Sequence, residues 1–171
     1  MTDDSYLEKS GDSPRMGKAA EFLVAAFCIL ATRARLNVST SLVDDEGVDL
    51  VFHLRDGTAT LGVQVKARMS DTKGVQQGKF IAQVQASTFR PRSDLDLLFV
   101  AIDVERGAVQ RAWLIPSPAF SAVVPKANVR GKYRFVASLK DGSADQWRQY
   151  RLEPLELPTA ILSRLEVLSA V

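Results

Sequence analysis

The sequence is poor in cysteine and has no long hydrophobic run. A single cysteine among 171 residues excludes a disulfide within the chain, and the apolar neighbours of Cys28 favour a place for it in the core. The longest apolar run, residues 22–31, is about half as long as a membrane span requires. Residues 1–11 are polar and lack the basic and apolar regions of a secretory signal. We therefore expect a cytoplasmic protein that does not act at a membrane.

Acidic residues are scarce in two stretches, although the net charge is only +2. Residues 62–92 contain one acid, Asp71, among six basic residues, and residues 126–140 contain five basic residues and no acid. A local excess of positive charge is typical of surfaces that bind a polyanion, although two solvated surfaces would give the same pattern. The residues that we assign to nucleic-acid binding are Arg68, Lys73, Lys79, Arg90 and Arg92.

The apolar pattern predicts one domain that mixes helices and strands. A first helix should run from Ser13 to about Arg35, and because it is apolar nearly all round we expect it to be mostly buried. A hairpin within residues 47–66 supplies two strands, and a short helix could cover residues 86–92. Further strands are predicted at residues 36–43, 80–85, 95–103, 108–115 and 133–139, and further helices at 116–124 and 159–168.

This order of elements suggests three parts of the chain. Residues 1–12 are expected to form a disordered tail, residues 13–125 the core, and residues 126–171 a C-terminal extension packed on the same domain. Trp113 and Trp147 are expected to pack in this domain rather than to stack on bases.

The hairpin is the most informative stretch. Asp56-Gly57 predicts a two-residue type I′ turn, whose two central positions need a positive φ. Counting back along both strands from this turn places Asp49 opposite Gln64. Because side chains alternate between faces, Asp49, Gln64 and Lys66 should share one face. An acid, an amide and an amine would therefore meet on strands that are otherwise largely apolar.

Three segments, in this order, carry a resemblance to a known family. They are Glu21 in the first helix, Gly47-Val48-Asp49-Leu50 before one strand, and Val63-Gln64-Val65-Lys66-Ala67 in the next. The chain resembles the PD-(D/E)XK nuclease superfamily, and most of all its Mrr-type and Holliday-junction-resolvase-like branches, as far as about Pro116. The resemblance implies a restriction-endonuclease-like α/β fold, with a central mixed β-sheet flanked by helices. It also implies a metal-dependent endonuclease of restriction, defence or repair that hydrolyses phosphodiester bonds of DNA.

The resemblance also assigns roles at a Mg²⁺ or Mn²⁺ site. Asp49 would bind the ion through its carboxylate, Gln64 through its amide oxygen and Val65 through its backbone carbonyl, which are the hard oxygen ligands that Mg²⁺ prefers. Glu21 would bind from the helix, directly or through water. Lys66 would orient the attacking water or stabilise charge on the phosphate.

Other interpretations stay open. Asp49 could accept hydrogen bonds where a turn enters a strand, and Lys66 could extend along a strand edge. Gln64 stands where the family usually has a carboxylate, so a catalytically weak or inactive module that binds nucleic acid is the alternative to an endonuclease. A protein-interaction domain of a larger defence system is a third hypothesis. The expected partner is double-stranded or branched DNA, and homodimer formation is left open.

Overall fold

The computed structural model describes residues 13–42 and 46–170, which form four α-helices, one 3-10 helix (Arg148–Tyr150) and eight strands. The tail predicted at residues 1–12 lies outside the described residues. The helices are α1 (Ser13–Ala31), α2 (Lys73–Gln76), α3 (Ser117–Val123) and α4 (Glu156–Ser169). The strands are β1 (Leu36–Thr40), β2 (Leu50–Leu54), β3 (Thr60–Met69), β4 (Lys79–Gln85), β5 (Leu95–Asp103), β6 (Ala108–Pro116), β7 (Lys132–Ser138) and β8 (Arg151–Leu152).

A mixed six-stranded sheet forms the middle layer, in the order β1-β2-β3-β5-β6-β8. β3 and β5 run parallel, and every other pair of neighbours is antiparallel. Helices α1 and α4 pack on one face of this sheet, while β4 and β7 pair into a second, two-stranded sheet that packs with α3 on the other face. The expectation of an α/β fold with a central mixed sheet flanked by helices is confirmed.

The helix-side core joins both ends of the chain. Ala20, Val24 and Cys28 of α1 are buried together with Leu157 and Ile161 of α4. Burial raises the pKa of the Cys28 thiol to about 12, because the thiolate would lose its hydration. The prediction that this cysteine is a core residue is confirmed.

The opposite core is aromatic. The rings of Phe99 and Phe135 stack in parallel with centroids 3.8 Å apart, and Phe120 stacks on Trp147 at 5.5 Å. Trp113 and Trp147 are fully buried, so their predicted packing role is confirmed. Their indole N–H groups are the only fully buried side-chain donors or acceptors of the described residues that have no hydrogen-bond partner. Ring stacking and burial therefore offset the cost of two unmade hydrogen bonds.

Helix α1 is shorter and more exposed than predicted. It ends at Ala31, because the N–H of Arg33 donates to Leu30 O and that of Ala34 donates to Ile29 O, which closes the helix as in a Schellman motif. Arg33 has the left-handed φ of 52° that glycine usually has at this position. Because no glycine marks the end of α1, the sequence did not predict where the helix ends. Phe22 is 57% exposed and Leu30 75%, because only one stripe of the helix contacts the sheet. No helix among the described residues is long and apolar enough to cross a membrane.

Other elements also differ from prediction, among them the first strand, which was predicted at residues 36–43 and ends at Thr40. Residues 86–92 form turns and extended chain rather than a helix. Helix α4 begins at Glu156, three residues before its predicted start. The elements α2 and β8, of four and two residues, are too short to leave a periodic pattern in the sequence.

A buried ion pair fastens α4 to the sheet. Asp96 in β5 is fully buried, and both of its carboxylate oxygens accept hydrogen bonds from Arg164, at 2.8 and 2.9 Å. Arg164 also donates to Ser93 O. Burial raises the pKa of Asp96, and the neighbouring guanidinium opposes that rise. The C-terminal helix therefore supplies the only charge that this carboxylate pairs with among the described residues.

Replacing Arg164 by methionine tests this pair. Removing one partner of a buried ion pair is expected to lower the free energy of unfolding by about 3–5 kcal/mol at pH 7. Without the guanidinium the pKa of Asp96 rises further, and the cost of a raised carboxyl pKa grows as pH increases from the unfolded-state value toward the raised one. The difference from wild type should therefore vanish below about pH 4, where Asp96 is neutral in both proteins. Urea denaturation across pH measures it. Arg106→Met, at a side chain 84% exposed, is the control, and an equal loss at all pH values would contradict the prediction.

Candidate active site

Strands β2 and β3 pair in the predicted register, although the turn between them is different. Leu50 is the partner of Val63 and His53 that of Thr60, as predicted, but the regular pairing ends at Leu50. Asp49 was predicted to lie opposite Gln64, whereas its N–H is bonded to Val63 O. The type I′ turn was wrong: neither Asp56 nor Gly57 has a positive φ, and the N–H of Gly57 donates to Leu54 O at 3.1 Å. Residues 55–59 form a five-residue loop, and loops of this length are most often built around a type I turn. The last paired residues are His53 and Thr60, so the predicted two-residue turn is lengthened by two residues on each side and the register is preserved.

The candidate site lies where β2 begins. Here β3 continues beyond Leu50 and the two strands separate. The N–H of Asp49 donates to Val63 O at 2.9 Å, and its Oδ2 accepts the N–H of Val65 at 2.6 Å. The side-chain carboxylate of Asp49 thus replaces the backbone carbonyl that would accept this hydrogen bond if the two strands stayed paired. The N–H and C=O of one residue in a strand point to the same edge, so the carbonyl of Val65 also faces this fork. We call these strand ends the β2–β3 fork.

Gln64 is held against the chain that enters the fork. Its side chain is only 5% exposed. Gly47 has a φ of +68°, and a Cβ added to it would lie 3.1 Å from Gln64 Nε2 and 3.4 Å from Thr88 Oγ1. Glycine is therefore favoured at position 47 by its left-handed conformation, and a larger residue there would also have to displace the Gln64 amide by a few tenths of an ångström. The family resemblance indicated Asp49, two residues after Gly47, as a site residue. Nothing in the sequence indicated that Thr88 would lie beside Gly47.

The face of β3 that bears Gln64 also bears Lys66 and Arg68. Their partners in β5 are Leu97, Phe99 and Ala101, which belong to the aromatic core. Lys66 is partly buried on this face. Alternation along β3 therefore places the predicted amide and amine on one face, as expected.

Glu21 lies on the other side of the sheet. Helix α1 packs on the face that bears Val63 and Val65. The carboxylate of Glu21 pairs with Lys18 Nζ at 2.5 Å, and its side chain is 12% exposed. To contribute to the fork, this carboxylate would have to reach around the edge of β3 beyond Leu50, the first residue of β2.

The five predicted phosphate contacts lie in different settings. Arg68 donates from Nε to Ile81 O and from Nη1 to Ala67 O, both at 2.8 Å, and burial lowers the pKa of its guanidinium. It therefore ties β4 to β3. Lys73 and Lys79 are exposed at the starts of α2 and β4. Arg90 donates to Ala86 O and Phe89 O, and Arg92 pairs with Asp94.

The donor set at the fork fits a weakly held hard cation. Within residues 13–42 and 46–170, no three His, Cys, Asp or Glu side chains gather as a metal site. The fork instead combines the carboxylate of Asp49 with two neutral oxygen donors, the Gln64 amide and the Val65 carbonyl. Mg²⁺ prefers hard oxygen ligands, often binds only one or two carboxylates and retains several waters. These residues are thus suited to Mg²⁺ or Mn²⁺, with one negative charge fewer than a site with two carboxylates.

Comparison with known proteins identifies the fold. No protein-family model matches the chain, and no curated protein matches it. Among solved structures, the bacterial homing endonuclease I-Ssp6803I is similar, with a TM-score of 0.53 and 22% sequence identity, over 90% of this chain and 95% of that one. The chain shares the fold of that protein. Coverage of 90% carries this similarity past Pro116, where the sequence resemblance ends.

Replacing Gly47 by alanine tests the contact with Gln64. Left-handed backbone at an L-residue costs about 1–2 kcal/mol, and the added Cβ would in addition press on the Gln64 amide. Gly107→Ala is a matched control, because Gly107 has a φ of +58° and open space where its Cβ would be. We expect Gly47→Ala to lower the free energy of unfolding more than Gly107→Ala does, as measured by urea denaturation. Equal losses would show that the amide does not constrain position 47.

Proposed function

We propose that this chain is an endonuclease that uses a divalent metal ion, Mg²⁺ or Mn²⁺, to hydrolyse phosphodiester bonds of DNA. The observation that carries this proposal is the β2–β3 fork, where the Asp49 carboxylate is held by the N–H of Val65 at 2.6 Å. Gln64 and Lys66 lie on the same strand pair. The fold shared with a homing endonuclease supports the same class of activity.

Each residue at the fork has a role in this proposal. A divalent ion, when bound, would polarise the phosphate and lower the pKa of the attacking water. Asp49 supplies the charged oxygen ligand, while Gln64 and Val65 supply neutral ones. Lys66, two residues beyond Gln64 on the same face, stabilises the negative charge that develops on the phosphate. Glu21 would also contact the ion, directly or through water, while its carboxylate keeps its ion pair with Lys18.

Asp49→Asn tests the carboxylate without removing its hydrogen bond. The asparagine oxygen can still accept the N–H of Val65, so we expect the variant to fold. Cleavage of plasmid and branched DNA in Mg²⁺ or Mn²⁺ should fall by at least about a hundredfold, since a bound metal supplies several kcal/mol. Lys66→Met should also lower the rate, because the ammonium is lost while the apolar part of the side chain is kept.

Asp103→Asn is the matched control for Asp49→Asn. Asp103 ends β5, and its Oδ1 accepts the backbone N–H of Glu105 and of Arg106. The control therefore removes a strand-end carboxylate elsewhere in the sheet, and cleavage should be unchanged. The proposal would be wrong if the wild-type chain cut no DNA in either metal, or if Asp49→Asn cut at the wild-type rate.

Gln64→Glu tests whether the neutral amide limits metal binding. A second carboxylate at the fork should lower the Mg²⁺ concentration for half-maximal binding by about tenfold, which is about 1.4 kcal/mol. Without metal, the two adjacent carboxylates should repel each other and lower the melting temperature. Added Mg²⁺ should therefore raise the melting temperature of Gln64→Glu more than that of wild type. Equal metal responses of the two proteins would contradict a metal site at the fork.

A second candidate function is a nucleic-acid-binding module that has lost turnover. The neutral side chain of Gln64 favours it, because the fork lacks the second carboxylate of the family pattern. This candidate predicts DNA binding with a steep salt dependence and no cleavage by the wild-type chain. If the wild-type chain does not cut DNA and Gln64→Glu does, the result favours the binding module over an active nuclease.

A further inference from the structure

The two-stranded sheet of β4 and β7, which we call the ribbon, turns one face outward. Phe80 and Phe135 lie on the inner face and are fully buried in the aromatic core. By alternation the outer face bears three cations, two amides and no acid, and Ile81, Val136 and Ser138 complete it. The cations and amides are Lys79, Gln83, Gln85, Lys132 and Arg134, of which Gln83 and Lys132 are partly buried and the others are exposed.

The register of the ribbon pairs its amides with its cations. Gln83 is opposite Arg134, and Gln85 is opposite Lys132. In the major groove, arginine donates two hydrogen bonds to guanine, and glutamine exchanges two with adenine. Lysine is suited to phosphate as a point charge. The Gln83–Arg134 pair of the outer face thus combines two side chains that read bases. It lies between the apolar pair Ile81–Val136 and the pair that bears Lys132, a cation for the backbone.

The ribbon has the size of an element that enters DNA. Its seven residue pairs span about 20 Å at a rise of about 3.3 Å per residue. The major groove of B-DNA, about 12 Å wide, admits a two-stranded β-ribbon. The nearby acid Asp145 lies at the opposite end from Gln85, where it accepts the N–H of Ser138, so negative charge is kept away from the Gln83–Arg134 pair.

Two connections hold the ribbon relative to the fork. Arg68 in β3 donates to Ile81 O of β4, so the strand that bears Gln64 and Lys66 is tied to the ribbon. At the other connection, the N–H of Ala86 donates to Gly131 O at the end of the ribbon. Two residues further along the chain, Thr88 reaches the space beside Gly47. A duplex cut at the fork would therefore pass close to the Gln85–Lys132 end of the ribbon.

We propose that the outer face of the ribbon enters the major groove of double-stranded DNA, with Gln83 and Arg134 on base edges and Lys132 on phosphate. This proposal rests on the proposed function, because it names the surface by which the endonuclease reads its substrate. It adds residues that lie outside the fork and outside the phosphate contacts predicted from the sequence.

Selection of bound duplexes from a pool with a randomised centre tests the proposal. The full chain carrying Asp49→Asn is used as the parent, so that the pool stays uncut. Arg134→Ala and Gln83→Ala should each weaken the preference at one base position by about tenfold. Arg134→Lys should retain affinity and still lose that preference, because it keeps the charge without the two-pronged guanidinium. Lys132→Ala should weaken all sequences equally and reduce the salt slope by about one.

The control is Arg106→Ala, which removes an exposed cation from the turn after β5 and should change neither affinity nor preference. If Arg134→Lys keeps the parental preference, the ribbon contributes charge alone and base reading is wrong. If ribbon variants alter only the binding of single strands or RNA, docking in the major groove is wrong. Cleavage of duplex DNA by the wild-type chain, together with ribbon variants that bind as the parent does, would overturn the ribbon proposal and leave the nuclease intact. A wild-type chain that neither binds nor cuts DNA would overturn both.

Discussion

The alternation of side chains along β3 is the constraint on which the rest of the structure depends. Val63 and Val65 face the helices, whereas Gln64, Lys66 and Arg68 face the ribbon side. A shift of register by one residue would exchange these two sets and bury the charged groups among the helices. The pairing with β2 on one side and β5 on the other therefore sets both the core and the candidate chemistry.

At the fork, the separation of two strands itself creates the candidate site, and no further helix or strand is needed. Once β2 leaves β3, the backbone N–H of Val65 needs an acceptor, and the carboxylate of Asp49 supplies it. The carbonyl of Val65 faces the same edge of β3 as its N–H. A requirement of backbone hydrogen bonding and a proposed metal site are thus met by one carboxylate.

The sequence was sufficient for features that depend on local pattern. The register of the hairpin followed from the alternation of apolar residues and the position of its loop. The predicted turn type was wrong, but the longer loop joins the same residue pairs, so the register was unaffected. The end of α1 could not be predicted, since Arg33 occupies a position that glycine normally marks. The Asp96–Arg164 pair joins residues far apart in the chain, and Thr88 approaches Gly47 only through the packing of two loops. No local pattern encodes such contacts, which is why they were missed.

The ribbon has a consequence for how the chain folds. Its strands lie about fifty residues apart in sequence, and the parallel pairing of β3 with β5 encloses β4 in the connection between them. Long loops must close before these contacts form, which makes folding slow relative to local hairpins. The hairpin of β2 and β3 needs only a five-residue loop and can form early. The strands of the fork are therefore expected to pair among the first elements of the chain, and those of the ribbon among the last.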